Sequence, residues 1–218
     1  SKPDGYTLYL GQGSSPDLTI PHFQKMPYDP FKDLAPVARL SIHSVVICVS
    51  GKSPIKSLKD LVEYAKAGNR ITAAASVATG VVDMTLKAMA KRAGFPITVV
   101  PFTGGADAVT ALAGGHLTMG GGHPSEVMPH IKSGRFRPIA VALDKRDPTL
   151  PDIPTLKEQG IDVVTWGSVK GVAVPAATPP EVIQYLASTL KKVCEDKDFK
   201  KGMAAVYQPI MYQGPKEW

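Results

Sequence analysis

Short apolar segments alternate along this chain with segments in which apolar residues recur every three or four positions. The first pattern is typical of buried strands and the second of amphipathic helices. The predicted strands cover residues 6–10, 35–40, 45–49, 71–75, 97–100, 117–120, 138–143 and 169–174. Helical patterns separate most of these strands, so the sequence indicates an α/β protein.

Several helix ends are marked by capping residues. Ser57 and Asp60 have the spacing of a capping box, and Gly94 is placed to end a later helix. Residues 178–181, Thr-Pro-Pro-Glu, predict a second capping box with proline at the first helical position. Asp196 is expected to begin the last helix.

The repeated strand–helix–strand order predicts parallel strands with right-handed crossovers, which is a doubly wound arrangement. The opening segment has too few strands to bury both faces of its own sheet, so the C-terminal helices are expected to pack on it. We therefore predict an α/β fold of two doubly wound lobes, of which the first is discontinuous. Lobe I covers 1–53 and 167–218 and lobe II covers 54–166, with the chain crossing near Ser53 and Trp166.

Composition supports a globular chain and argues against several partners. Of 218 residues, 44% are apolar and 20% charged, values that exclude a disordered chain. The longest apolar runs, such as 45–49, are far too short to cross a bilayer. Lys and Arg outnumber Asp and Glu by 25 to 19, a net charge of +6, but the longest basic runs are pairs. We therefore predict no nucleic-acid partner, since such binding needs positive charge gathered on one face.

The cysteines and histidines do not form a recognisable metal site. Cys48 and Cys194 are far apart and could be bridged or could be two buried thiols, which the apolar surroundings favour. His116, His123 and His130 recur every seven residues but fall on a strand start, a loop and a helix. Their convergence on one metal ion is not expected, and we predict neither a metal nor a cofactor.

Catalytic and dinucleotide-binding motifs are not matched. The segment 11–16, GQGSSP, begins like a dinucleotide fingerprint, but it lacks the third glycine, and Pro16 discourages the helix that would receive a pyrophosphate. No nucleophile elbow or zinc-protease motif occurs, and His123 alone could serve as an acid or base in the candidate loops. We predict no catalytic residue and no enzyme activity.

Ligands of open α/β sheets bind beyond the carboxyl ends of the strands, and four loops there are rich in Gly, Ser and Thr: 11–15, 76–80, 102–105 and 120–123. The candidate ligand-binding residues in them are Gln12, Gly13, Ser14, Ser15, Ser76, Thr79, Gly80, Thr103, Gly104, Gly105 and His123. None of the four loops contains Asp, Glu, Lys or Arg. Backbone N–H groups, hydroxyls and helix N-termini can bind one or two carboxylates without a guanidinium. The loops therefore predict a small mono- or dicarboxylate as the ligand.

Eight segments of the chain match a known family in order and spacing. They are PDGYTL at 3–8, MPYDP at 26–30, DLAPV at 33–37, SLKDL at 57–61, VPFTG at 100–104, PHIKSG at 129–134, LPDIPTL at 150–156 and VPAATP at 174–179. Over essentially its whole length the chain resembles the periplasmic solute receptors of tripartite tricarboxylate transporters, the Bug family. The resemblance implies a type II periplasmic binding fold whose lobes close on a carboxylate. It also implies a periplasmic location and transient contact with membrane permease subunits, and we expect a monomer.

The resemblance adds detail to the site. Family binding loops correspond to 11–15, 76–80 and 102–106, and Trp166 matches a family aromatic that would be a cleft wall or hinge packing. Amino-acid-binding members carry an Asp after the strand matching 117–120, where this chain reads Gly-Gly-His-Pro, so a plain organic acid is favoured. The family begins with a further strand, loop and helix, so we expect lobe I to be N-terminally incomplete.

Two other functions remain open. A periplasmic sensor of organic acids would share the fold and hand its bound state to a signalling partner instead of a permease. An enzyme acting on an acid would depend on His123 and would release a product.

Overall fold

In this computed structural model, residues 1–11, 21, 25–75, 80–102, 105–163 and 167–217 are described. They form two compact units, Ser1–His43 with Ser168–Trp218, and Ser44–Gly167. The elements, in chain order, are β1 (Tyr9–Gly11), α1 (Pro30–Asp33), β2 (Leu34–His43), β3 (Val45–Ser50), α2 (Leu58–Lys66), β4 (Ile71–Ala75), α3 (Val81–Ala93), β5 (Ile97–Pro101), α4 (Gly105–Ala113), β6 (Met119–Gly122), α5 (Pro124–Lys132), β7 (Phe136–Ala142), a 3-10 helix (Lys157–Gln159), β8 (Ser168–Pro175), α6 (Pro180–Glu195), α7 (Lys197–Ala205) and β9 (Ile210–Gln213).

The first unit contains a four-stranded sheet in the order β1-β8-β2-β9. Every described pair in it is antiparallel, so the α/β class holds for this unit but a doubly wound parallel sheet does not describe it. Buried Val37, Val172 and Val174 of the sheet pack against Ala187 of α6. His43 pairs with Ser168, so the chain leaves and re-enters this unit at the ends of two neighbouring strands.

The second unit contains a five-stranded sheet in the order β5-β4-β6-β3-β7. β4 pairs in parallel with β5 and β6, as the repeated strand–helix–strand units predict. β3 is antiparallel to both β6 and β7, so the predicted parallel arrangement does not hold for β3, although α2 separates it from β4. β3 therefore belongs to the second unit, and the first crossing lies at His43–Ser44 and not near Ser53.

Local capping determines where several helices start, and one prediction about it is wrong. Ser57 Oγ accepts from Asp60 N at 3.1 Å, and Asp60 Oδ2 accepts from Ser57 N at 3.1 Å, which completes the predicted capping box. Thr178 does not cap α6, whose N-cap is Pro179 with an extended ψ of 140°. Proline at position 180 forces that extended conformation on Pro179 and so leaves Thr178 one residue too early.

Cys48 and Cys194 are both free and both buried, as the apolar surroundings of their sequence favoured. Burial raises the pKa of each thiol above its ordinary value, and for Cys194 the neighbouring Glu195 adds to the effect. Among the described residues, no helix combines the length and the apolar character that a bilayer-spanning segment requires.

Candidate functional site

Three helices of the second unit begin at one edge of its sheet. β4, β5 and β6 run in the same direction, so their carboxyl ends lie together, and α3, α4 and α5 follow them. We call this the loop edge of the second unit, defined by the strand ends Ala75, Pro101 and Gly122. Because β3 runs the opposite way, its first residue, Val45, also lies at the loop edge, where it pairs with Ala142 of β7.

Three of the predicted site residues lie at the loop edge within the described part of the chain. Gly80 is the N-cap of α3, Gly105 begins α4, and His123 is the N-cap of α5. The other predicted residues are outside the described residues and stay predictions: Gln12, Gly13, Ser14, Ser15, Ser76, Thr79, Thr103, Gly104 and Trp166.

Gly80 begins α3 without a side-chain cap, and its carbonyl accepts from Met84 N at 3.0 Å. The first turn of this helix carries a buried carboxylate, Asp83, which is 3% exposed. Lys87 Nζ lies 2.8 Å from Asp83 Oδ1 and compensates its charge. The negative charge in the first turn of α3 is therefore already paired.

The ring of His123 contacts Ser44, the first residue after the crossing from the first unit. Its Nδ1 lies 2.9 Å from the carbonyl oxygen of Ser44. A carbonyl can only accept, so Nδ1 carries the proton and donates. In a neutral ring Nε2 is then an acceptor, and His123 could donate to a ligand carboxylate only as an imidazolium. This geometry limits how His123, one of the predicted ligand-binding residues, could contact a ligand carboxylate.

Glu126 is a charged residue at the loop edge that the sequence argument missed. Its Oε2 accepts from the backbone N–H of His123 at 2.8 Å. A Cβ placed on Gly105 would overlap Glu126 Oε1, and one on Gly122 would lie 3.2 Å from Oε2. The two glycines therefore make room for the carboxylate, which lies where α4 begins.

The sequence signal that would have identified Glu126 is its short spacing from His123. The four loops themselves contain no acidic residue, as the sequence shows, but Glu126 stands three residues after His123 in the first turn of α5. Glutamate at that spacing reaches back to the N-cap N–H in a capping box. The loop edge is consequently not free of negative charge, although the four loops themselves are.

A buried polar network adjoins His123. Ser44 Oγ donates to Asp147 Oδ2 at 2.5 Å, and Thr149 donates to Asp147 Oδ1 from N at 2.8 Å and from Oγ1 at 2.6 Å. Ser44 and Asp147 are both 0% exposed. These residues include a serine, a histidine and an aspartate, but the histidine ring contacts the serine carbonyl and not its hydroxyl. The geometry is not that of a nucleophile with its general base.

One other feature of the second unit, a groove, does not coincide with the loop edge. A groove of about 530 Å³ lies between α2, the carboxyl end of α3 and the 3-10 helix, with Lys59, Lys66 and Arg92 on its rim. It is thus at the opposite end of α3 from Gly80. Within the described ranges, no three His, Cys, Asp or Glu side chains are placed to hold a metal ion.

Comparison with known proteins assigns this architecture to a family. A family model described as "Tripartite tricarboxylate transporter family receptor" matches residues 1–211. A Cupriavidus necator protein, "UPF0065 protein in gbd 5'region", is 29% identical over 217 residues, which is 99% of this chain and 65% of the relative. BugT of Bordetella pertussis is 28% identical over 207 residues, 94% of this chain and 64% of the relative. The chain thus spans slightly less than two thirds of the length of these relatives.

Solved structures agree with the fold. A solute-binding protein from Polaromonas, solved without ligand, superposes with a TM-score of 0.87 at 24% identity, covering 99% of this chain and 73% of the other. An R. palustris protein solved with adipate superposes with a TM-score of 0.80 at 25% identity, with the same coverage. The predicted type II periplasmic binding fold is therefore confirmed at the level of the overall architecture.

Proposed function

Because this chain belongs to the tripartite tricarboxylate transporter receptor family, we propose that it captures a small organic mono- or dicarboxylate in the periplasm and delivers it to membrane permease subunits. The family consists of solute receptors and not of enzymes. The carboxylate, the location and the permease contact are our proposals for this chain, which spans only part of its relatives.

The observation that carries the proposal is the convergence of three helix starts on the loop edge. Backbone N–H groups at the start of a helix are unpaired and favour anions, typically by about 0.3–1 kcal/mol for each carboxylate. Hydrogen bonds to a charged group add roughly 1.5–3 kcal/mol each. Four or five such donors could reach about −8 kcal/mol, which corresponds to a micromolar dissociation constant. The adipate in the R. palustris structure is a dicarboxylate and supports this ligand class.

We propose that the ligand lies nearer to α3 than to α4. The Glu126 carboxylate lies against Gly105 at the start of α4 and would repel an anion there, whereas Asp83 in α3 is compensated by Lys87. In this arrangement Ser76, Thr79 and the N–H groups after Gly80 supply the main donors. As the family resemblance implies, the site would be completed by Gln12, Gly13, Ser14, Ser15, Thr103, Gly104 and Trp166.

A thermal-shift and calorimetric screen of aliphatic and aromatic carboxylates tests the ligand class. Binding to the native state alone should raise the free energy of unfolding by about 2.7 kcal/mol at a hundredfold excess over the dissociation constant. We expect stabilisation by at least one acid and none by neutral sugars or cationic amino acids. Stabilisation by sugars alone would contradict the proposal.

Site variants test the location. Ser76→Ala and Thr79→Ala should each weaken the acid that binds by about tenfold, the loss of one hydrogen bond to a charged group, about 1.4 kcal/mol. Thr189→Ala is the matched control, because Thr189 is exposed on α6 and its hydroxyl donates to Tyr185 O of the same helix. Unchanged affinity in both site variants would place the ligand elsewhere.

The transport role is tested separately from binding. In vesicles containing the permease, uptake of the bound acid should require this receptor and saturate with its concentration. If the acid binds but receptor addition never changes uptake, the sensor interpretation is favoured over delivery.

A further inference from the structure

We propose that His123 is a positioning residue, which acts through Nδ1 to hold Ser44, the first residue after the crossing, at the loop edge. In this proposal His123 does not bind the ligand itself. This inference rests on the proposed function for its ligand-dependent part. Its structural part rests on contacts within the second unit and is tested through the distance between the two units.

Ser44 is the residue through which the chain enters the second unit. It follows His43, the last residue of β2, and precedes Val45, the first residue of β3. Its hydroxyl donates to Asp147 and its carbonyl accepts from His123, so side chains from two other loops hold it. One loop follows β6 and the other follows β7. A fully buried residue with both groups bonded in this way has little freedom to move relative to the sheet.

The same histidine is tied to the start of α4. Its N–H donates to Glu126 Oε2, and Oε1 of that carboxylate lies against the Cα of Gly105. A continuous series of contacts thus runs from the first residue of α4 to the crossing, through Gly105, Glu126, His123, Ser44 and Asp147. An anion that displaces the Glu126 carboxylate would shift His123, which is the N-cap of α5 and the residue bonded to the Ser44 carbonyl.

The two ring nitrogens of His123 allow a positioning role to be distinguished from ligand contact. The atom bonded to Ser44 is Nδ1, whereas a ligand on the other edge of the ring would meet Nε2. The amide nitrogen of an asparagine side chain lies near the position of Nδ1, and that of glutamine lies near Nε2. Asparagine at position 123 can keep the Ser44 contact while removing any contact through Nε2.

The test compares His123→Asn, His123→Gln and His123→Ala in the full chain, with His116→Ala as the control for an exposed histidine. Spin labels are attached at Lys66→Cys and Ser188→Cys, exposed positions of the second and first units, because native Cys48 and Cys194 are buried. The distance distribution between the labels is measured without ligand, and adipate affinity is measured by calorimetry. Loss of stability alone would not broaden the distribution of a folded protein.

We expect the Gln and Ala variants to broaden the distance distribution, while the Asn variant and the control stay like the wild type. Where adipate binds the wild type, its affinity should fall about tenfold in the Gln and Ala variants and less than twofold in the Asn variant. Broadening in the Asn variant equal to that in the Ala variant, or broadening in none of the three, would overturn the proposal. So would a tenfold loss of adipate affinity in the Asn variant, which would show contact through Nε2. If adipate fails to bind even the wild type, that counts against the proposed ligand class, and the ligand-free distances still decide the role of His123.

Discussion

The carboxylate of Glu126 accepts a hydrogen bond of 2.8 Å from the backbone N–H of His123. This contact satisfies a donor at the start of α5. We expect Glu126→Ala to lower the free energy of unfolding by about 1–2 kcal/mol, because it removes the acceptor of a helix cap. Glu126→Gln should cost less than half of that, since its amide oxygen can still accept. Urea unfolding of the two variants checks this, and equal losses in both would contradict it.

The charge of Glu126 should also limit anion binding at the loop edge. Two unit charges about 8 Å apart in water repel each other by roughly 0.5 kcal/mol, and closer or drier pairs repel more strongly. Glu126→Gln should therefore tighten the binding of an organic acid by about twofold or more. Calorimetry at two salt concentrations provides the measurement, and the gain should shrink at high salt. Weaker binding in this variant would mean that the carboxylate helps to hold the ligand.

Arg137 holds the turn between β3 and α2. Its guanidinium donates to the carbonyls of Gly51, Ser53 and Ile55 at 3.1, 3.0 and 2.9 Å. Arg137→Met should lower the free energy of unfolding by roughly 2–4 kcal/mol, because three partly buried carbonyls lose a charged donor. Arg137→Lys should cost about half as much, since an ammonium cannot reach all three from one position. The exposed Arg135, changed to Met, is the control and should shift stability by less than about 0.5 kcal/mol. A Lys variant as stable as the wild type would show that the fork geometry is unimportant.

His130 should make the protein less stable in mild acid. Burial, and secondarily the charge of Arg135, lower the pKa of His130 below its ordinary value of 6.5. The unfolded chain then binds the proton more readily, so stability is lost as pH falls below about 6.5 toward the lowered pKa. His130→Phe keeps a ring against Phe136, whose centroid lies 4.9 Å away. The drop in urea midpoint between pH 7 and pH 5 should be smaller in this variant. An identical drop in both proteins would assign the acid sensitivity to other groups.

The two thiols should be unreactive in the native protein. Cys48 is 0% exposed and Cys194 4% exposed, and burial raises the pKa of both, so little thiolate is available. An aromatic disulfide reagent should titrate no thiol in the native protein and two after denaturation. Detection of fewer than two in denaturant without reductant would indicate a bridge.

The amino-acid sequence alone was enough to predict features that depend on neighbours within about four residues. The capping box of Ser57 and Asp60 forms as predicted, and Gly94 ends α3 with a φ of +77°, which glycine adopts without strain. Strand β4 has the predicted limits, Ile71–Ala75, because a run of apolar and β-branched residues bounded by polar ones is a local signal. The family, too, follows from short motifs in order.

The tertiary structure decided which distant residues meet. Ser44 lies 79 positions before His123 and 103 before Asp147, and no local pattern brings them together. Their contact depends on β3 entering the sheet antiparallel between β6 and β7, so that the crossing lies at the loop edge. The placement of Glu126 beside Gly105 depends likewise on α4 and α5 following strands of one sheet. Hydrogen bonds within a turn are set by residue type and spacing, whereas contacts across a sheet are set by strand order, which only packing of the whole chain selects.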